Sequence, residues 1–245
     1  MNAVNEIPKS CTQLTPHQLV EQSYFQIFAQ HYNLPPGRIE YSDKPDVLIY
    51  GERKIGVELA HVYKKCGKYS ASEQVQNKSR MSVIKAAERL FLERGGRKIE
   101  LWIDFDPQYP IQIIDKTAND LANVALEIAG FMEGHTSYGE FEKVPELRFL
   151  THNGKEYADS KWKLLQGHDV PNLSVERVKE LVAQKTKKLQ NYHPCDAYWL
   201  LLVVEFWDPA QDQDIEWPQN ESVGLTPFEK ILIYKPQLRQ VSVVR

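Results

Sequence analysis

The stretch KPDVLIYGERKIGVELAHVY, residues 44–63, constrains the fold more than any other part of the chain. It contains two mainly apolar runs, DVLIYG and KIGVELAHV, joined at Gly51–Arg53 by a sequence that is typical of a hairpin turn. Val47 and Ile49 alternate with Leu48 and Tyr50, so side chains on both faces of the first strand are apolar or aromatic. This pattern predicts a central strand covered on both faces.

Glu58 interrupts the second run with a carboxylate between Val57 and Leu59. A buried carboxylate is costly unless it is paired with a cation or bound to a metal. Asp46 opens the first strand, so the two carboxylates converge if they lie at adjoining strand ends. Ligation by oxygen alone suits Mg²⁺. Asp46 could instead be a simple turn or strand-start residue without a function. A purely structural role is harder to assign to Glu58, because it lies within an apolar strand.

The other patterns alternate between helices and strands. Helical spacing of apolar residues predicts helices over 16–32, 70–95, 118–132 and 174–192. Strands are predicted over 38–42, 98–105, 197–206, 228–234 and 240–244, with a possible strand at 147–150. This order favours an α/β fold, a three-layer sandwich with a central mixed β-sheet flanked by helices. We expect one domain over 16–245 and a loose N-terminus over 1–15.

Net charge, cysteine content and hydropathy indicate which partners and which cellular compartment to expect. A net charge of -3 argues against a protein that coats nucleic acid, although the basic stretch 60–98 could form a phosphate-attracting face or simply a solvated one. The cationic helix that ends near residue 188 has the same two explanations. Cys11, Cys66 and Cys195 have no CxxC spacing and indicate free thiols in a reducing compartment. With no apolar run of about 20 residues and no secretion signal, we expect a cytoplasmic protein without a membrane partner.

The hairpin resembles the PD-(D/E)XK, or restriction endonuclease-like, nuclease superfamily. Pro45-Asp46 and Glu58 match its two acidic positions, and the predicted order of helix, hairpin, helix and strand over 16–105 is similar to its core. The resemblance implies that Asp46 and Glu58 bind Mg²⁺ or Mn²⁺, which polarises a phosphate in DNA and lowers the pKa of the attacking water. It also implies a homodimer, and Glu21 in the first helix as a third metal ligand.

The lysine of the family motif is missing, because the motif reads Glu58-Leu59-Ala60. In some members of the superfamily a neighbouring element supplies this lysine. By this analogy we predict Lys78 on the second helix, with Gln76 as a polar partner facing the same pocket. Weaker candidates follow the hairpin at Lys64, Lys65 and Lys68. An exposed helix position is the simpler explanation for Lys78, as it is for Glu21.

We therefore expect a metal-dependent endonuclease that hydrolyses phosphodiester bonds in DNA. Its expected catalytic residues are Asp46, Glu58, Lys78 and Gln76. The alternative is a catalytically inactive nuclease fold that serves as a nucleic-acid or protein binding module, which the absent lysine and the acidic balance favour. A glycosidase that uses the same two carboxylates is a further alternative.

Overall fold

A computed structural model describes residues 15–65, 69–130, 133–135, 143–165 and 167–244. The chain divides into two compact units. Unit one comprises Met1–Val62, Asn172–Phe206 and Gln213–Arg245, and unit two comprises Tyr63–Pro171 and Trp207–Asp212. The single domain expected over 16–245 stays a prediction. The loose N-terminus expected over 1–15 falls, except for Thr15, outside the described residues.

Helices and strands alternate along the described residues. The helices are α1 (Pro16–His31), α2 (Glu73–Glu93), α3 (Ile114–Ile128) and α4 (Val175–Thr186). The strands are β1 (Arg38–Tyr41), β2 (Val47–Tyr50), β3 (Lys54–His61), β4 (Glu100–Phe105), β5 (Glu133–His135), β6 (Leu147–Asn153), β7 (Lys161–Leu164), β8 (Ala197–Val203), β9 (Phe228–Lys235) and β10 (Gln240–Val243). No helix in these described stretches has the length and apolar character needed to cross a membrane.

Unit one is built on a six-stranded mixed sheet with the order β1-β2-β3-β8-β9-β10. Strand β8 runs parallel to β3 and to β9, and the remaining neighbours are antiparallel. The hairpin predicted from the sequence is formed by β2 and β3. The α/β class and the mixed sheet are confirmed.

The two faces of this sheet are covered by different helices. Phe25 and Phe28 of α1 pack in one apolar cluster with Val57 and Leu59 of β3. On the other face, α4 contributes Val178, Leu181 and Val182 to a cluster that also holds Leu200 and Leu202 of β8. Because side chains alternate along a strand, Glu58 points to the face that α4 covers.

Unit two has its own four-stranded sheet, ordered β5-β6-β4-β7, and a core shared with α2 and α3. The sequence predicts one central sheet that includes 98–105, but β4 pairs with β6 and β7 in this second sheet. Alternation of apolar residues shows that a strand has a buried face, and it carries no information on which strands lie beside it. The strands β5 and β7 were not predicted, because each is short and partly polar.

Among the helices, the largest differences from the predicted bounds are in α3 and α4. The third helix begins at Ile114, four residues before the predicted start at 118, and ends at Ile128. The helix predicted over 174–192 ends at Thr186 and is followed by a 3₁₀ turn at Leu189–Asn191.

Replacing Phe28 by alanine tests the packing of α1 on the sheet. Phe28 is fully buried and stacks on Tyr32, with Tyr234 edge-on to its ring. We expect Phe28→Ala to lower the free energy of unfolding by about 3–5 kcal/mol, because it leaves a cavity in the core. The neighbouring Ile27 is 36% exposed, so Ile27→Ala should cost under about 1 kcal/mol. Urea denaturation measures both, and equal losses would contradict this packing.

Candidate active site

Asp46 and Glu58 face each other across the hairpin. Val47 pairs with Val57 in antiparallel register, so the preceding residue, Asp46, lies opposite Glu58. Residues directly opposite on antiparallel strands point to the same side of the sheet. The N–H of Leu59 donates a 2.7 Å hydrogen bond to Oδ2 of Asp46, which fixes this carboxyl group beside β3. The structure therefore brings the two predicted acids together.

Their proximity perturbs Asp46. Burial, followed by the negative charge of Glu58 and a smaller effect of Glu21, raises the pKa of Asp46 to about 8. The Leu59 N–H and the Lys185 ammonium oppose this rise. Two carboxylates held close together in a buried place disfavour each other's charged form. Burial and the charge of Glu58 therefore favour the protonated form of Asp46.

Lys185 lies in the last turn of α4 and reaches the second acid. Its Nζ donates a 2.5 Å hydrogen bond to Oε1 of Glu58 and a 2.9 Å hydrogen bond to the carbonyl oxygen of Leu59. The pair is largely buried. The ammonium group next to Glu58 thus comes from a residue 127 positions further along the chain.

The predicted residues Lys78 and Gln76 do not line this site. Both belong to α2 of unit two. The side-chain amide of Gln76 is buried, donates to the Ser70 carbonyl oxygen and accepts from the Ile111 N–H, so its role is to fix a loop. Lys78 is an exposed helix residue. The ammonium group beside Glu58 therefore belongs to Lys185 and not to Lys78.

Glu21 of α1 lies at the edge of the same site. Its Oε1 is 3.0 Å from Nδ1 of His17, one helical turn earlier, and its side chain is largely buried. Its negative charge is one of the causes of the raised pKa of Asp46. Glu21 therefore contributes to the negative electrostatic potential at the site. In the described part of the chain, however, no group of three or more His, Cys, Asp or Glu side chains is arranged to hold a metal.

A cavity of about 460 Å³ contains these groups. Besides the three acids and Lys185, its lining includes Lys44, Lys188 and Tyr192. Burial and the nearby charges of Glu58 and Asp46 raise the pKa of the Tyr192 hydroxyl, so it keeps its proton. Sequence patterns did not single out Tyr192, because a tyrosine after a helix has no distinctive spacing. The cationic end of the fourth helix was the only signal for Lys185.

Asp46 and Glu58 are the residues that could hold a metal ion here. Mg²⁺ is commonly held by one or two carboxylates and keeps several water molecules. Oε2 of Glu58 is buried and accepts no well-formed hydrogen bond within the described residues. The Tyr192 hydroxyl is the donor near this carboxylate, with a geometry that is short of a regular hydrogen bond. A buried acceptor without a donor is unfavourable, and a cation would satisfy it.

Comparisons with known proteins add no relative. No family model matches the chain, and searches of curated proteins and of solved structures found no match either. The arguments for this site therefore come from its geometry and electrostatics.

The raised pKa of Asp46 predicts how stability depends on pH. Between about pH 4 and pH 8 the folded protein holds a proton on Asp46 that the unfolded chain has released. The free energy of unfolding of the wild type should therefore fall as pH rises through this range, relative to Asp46→Asn, which does not titrate. We expect a relative change on the order of a few kcal/mol in metal-free buffer.

Urea denaturation at several pH values measures this difference. The matched control is Asp43→Asn, since the side chain of Asp43 is 70% exposed and pairs with Lys44. The control should follow the wild type at every pH. Parallel profiles for the wild type and Asp46→Asn would show that Asp46 is charged throughout, contrary to this prediction.

Proposed function

We propose that the protein is a metal-dependent nuclease that hydrolyses phosphodiester bonds in DNA. The observation that carries the proposal is that Asp46, Glu58 and Lys185 meet in one cavity. Two acids and one amine are the set that the PD-(D/E)XK resemblance calls for. The amine comes from Lys185 of α4, in place of the motif lysine that the family has at the position of Ala60.

Each residue has a role in this proposal. Asp46 and Glu58 would hold Mg²⁺ or Mn²⁺, which supplies Lewis-acid polarisation of the phosphate and a water of lowered pKa. The Lys185 ammonium, held by Glu58 and the Leu59 carbonyl oxygen, would orient the attacking water and stabilise negative charge developing on the phosphate. Tyr192 keeps its proton and can donate a hydrogen bond to the same phosphate.

Exposed lysines in the lining of the cavity are the feature that suits an anionic polymer as substrate. Lys188 is exposed there, whereas Lys44 pairs with the exposed Asp43 of the same lining. Lysine contacts with phosphates position a protein on DNA without reading its sequence. A homodimer with one such site per protomer forms part of the proposal, as expected from the family resemblance.

One observation favours the alternative of an inactive binding module. Without a metal the acids are already balanced, because Lys185 neutralises Glu58 and Asp46 holds a proton. Such a hydrogen-bonded cluster can be stable in a protein that has no catalytic activity. Cleavage and metal binding, measured separately, distinguish the two functions.

Plasmid cleavage in Mg²⁺ or Mn²⁺ tests the catalytic roles. Removal of one electrostatic group from an active site typically lowers the rate about 10²–10³-fold, so we expect losses of that size for Glu58→Gln and Lys185→Met. Lys187→Met is the matched control, because Lys187 is an exposed neighbour on the same helix end. Lys78→Met tests the residue suggested by the sequence. Both of these variants should retain the wild-type rate within about twofold.

The same preparations separate catalysis from folding. Breaking a buried ion pair costs on the order of 3–5 kcal/mol, so a variant could lose activity because it unfolds. Thermal unfolding of each variant must therefore show a folded protein at the assay temperature. Loss of activity in Lys78→Met and not in Lys185→Met would contradict the assignment of the lysine. DNA binding without cleavage by the wild type would favour the binding module.

Metal binding gives an independent prediction. Titration of Mn²⁺, followed by its electron paramagnetic resonance signal, should show one site per chain in the wild type. Glu58→Gln should bind at least tenfold more weakly, because the amide removes one of two anionic ligands. Equal affinity of the two proteins would place any bound metal elsewhere.

A further inference from the structure

Helix α1 has an exposed side without a charged residue. Phe25 and Phe28 point into the core of unit one, and exposed residues recur along the opposite side at helical spacing. The outer face of α1 consists of Pro16, Leu19, Val20, Ser23, Gln26, Ile27 and Gln30. The exposed side of a surface helix normally carries charged residues, so the composition of this face is unusual.

The charged groups of α1 are turned away from the outer face. The helix contains no lysine or arginine, and Glu21, its one carboxylate, is largely buried and lines the candidate active site. His17 is exposed, but its Nδ1 lies 3.0 Å from Oε1 of Glu21. An ion on a partner surface would lose hydration against the outer face without gaining a counter-ion. An uncharged partner surface therefore fits best.

The outer face also exposes large apolar side chains. Leu19 is 53% exposed, Val20 45% and Ile27 36%. The 3₁₀ turn Pro236–Leu238 contacts α1 and adds Leu238, which is 55% exposed. Exposed apolar residues that are grouped together mark interaction surfaces more often than scattered ones do.

The outer face is complementary to a second copy of itself. Ser23 lies at its centre, both along the helix axis and around it. In an antiparallel pair of helices related by a twofold axis at Ser23, residues that precede it by n positions lie against residues that follow it by n positions in the other copy. Leu19 then packs on Ile27 of the second copy, and Val20 packs on Gln26. The small side chain at the axis allows the helices to approach closely.

We propose that two copies of this chain associate through the outer face of α1, as an antiparallel helix pair with its twofold axis at Ser23. A standard stable interface takes about 20–30 residues from each partner, and this face is smaller, so the dimer is reversible. The inference deepens the homodimer that the proposed function includes and rests on that part of it. Asp46, Glu58 and Lys185 lie off the outer face, so association and cleavage can fail independently.

Cysteine cross-linking tests the position of the axis. Helices packed about 8–10 Å apart, each with a radius of about 2.3 Å, bring facing Cα atoms within the range that a disulfide spans. Only a residue on the axis meets its own copy, so Ser23→Cys should form a linked dimer under mild oxidation. Leu19→Cys and Ile27→Cys should link efficiently when mixed and poorly alone. The wild type, with the same three native cysteines, measures the background.

Sedimentation velocity gives the second measurement. The wild type should form a dimer whose fraction grows with concentration up to about 1 mM, a range in which even a weak complex is detected. Ser23→Arg should weaken association about tenfold or more, because two guanidinium groups then face each other at the axis. Gln219→Arg is the matched control, since Gln219 is an exposed glutamine of unit one outside α1.

The outcomes separate this inference from the nuclease proposal. A wild type that stays monomeric, or a Ser23→Cys protein that links no better than the wild type, would overturn the proposed surface even if DNA is cleaved. Dimers that Ser23→Arg leaves unchanged would place the interface elsewhere and overturn it as well. A dimer with the predicted cross-links that cleaves no DNA would support the surface and contradict only the nuclease chemistry.

Discussion

Glu58 lies on the buried face of a core strand, and the charge of its carboxylate must be balanced there. The balance comes from Lys185, whose ammonium contacts both Oε1 of Glu58 and the neighbouring carbonyl oxygen of Leu59. Removing one partner of such a pair leaves an uncompensated charge and costs on the order of 3–5 kcal/mol. A pair of apolar residues would often fill such a position at no greater cost, and the proposed function gives a reason for the polar pair.

The position of this pair follows from the layering of unit one. Alternation along β3 places Val57 and Leu59 against α1 and Glu58 toward α4. The register of the hairpin adds Asp46 to the same side, and α1 brings Glu21 to its edge. The result is an acidic centre with one internal ammonium, lined also by the exposed Lys188 and by the Lys44–Asp43 pair. This is the distribution of charge on which the proposal of a metal ion and a phosphate rests.

Much of this arrangement is readable from the sequence, because its signals are local. The hairpin, the unusual carboxylate in an apolar strand and the preceding Asp46 lie within one stretch of 20 residues. Lys185 is different, since its contact with Glu58 spans 127 positions and depends on how α4 crosses the sheet. No local pattern encodes that crossing. The analogy with the family therefore pointed to the second helix, where Gln76 instead fixes a loop of unit two.

The division into two sheets could not be predicted from the sequence either, because it depends on which strands pair. Strand β4 has the apolar alternation of any half-buried strand, and its partners β6 and β7 follow it by about 45 and 60 residues. Pairing between strands distant in sequence depends on tertiary packing, which periodicity and motif spacing do not report.

A crystal structure of the protein grown or soaked with Mn²⁺ would locate the metal without reference to a sequence motif, through its anomalous signal. If Asp46 and Glu58 hold the metal, one strong peak lies between their carboxylates, with Lys185 Nζ as the nearest amine. The peak then disappears in Glu58→Gln crystals. A metal bound elsewhere, or an unchanged Glu58–Lys185 pair with no peak beside it at saturating Mn²⁺, would show that the two carboxylates are not a metal site.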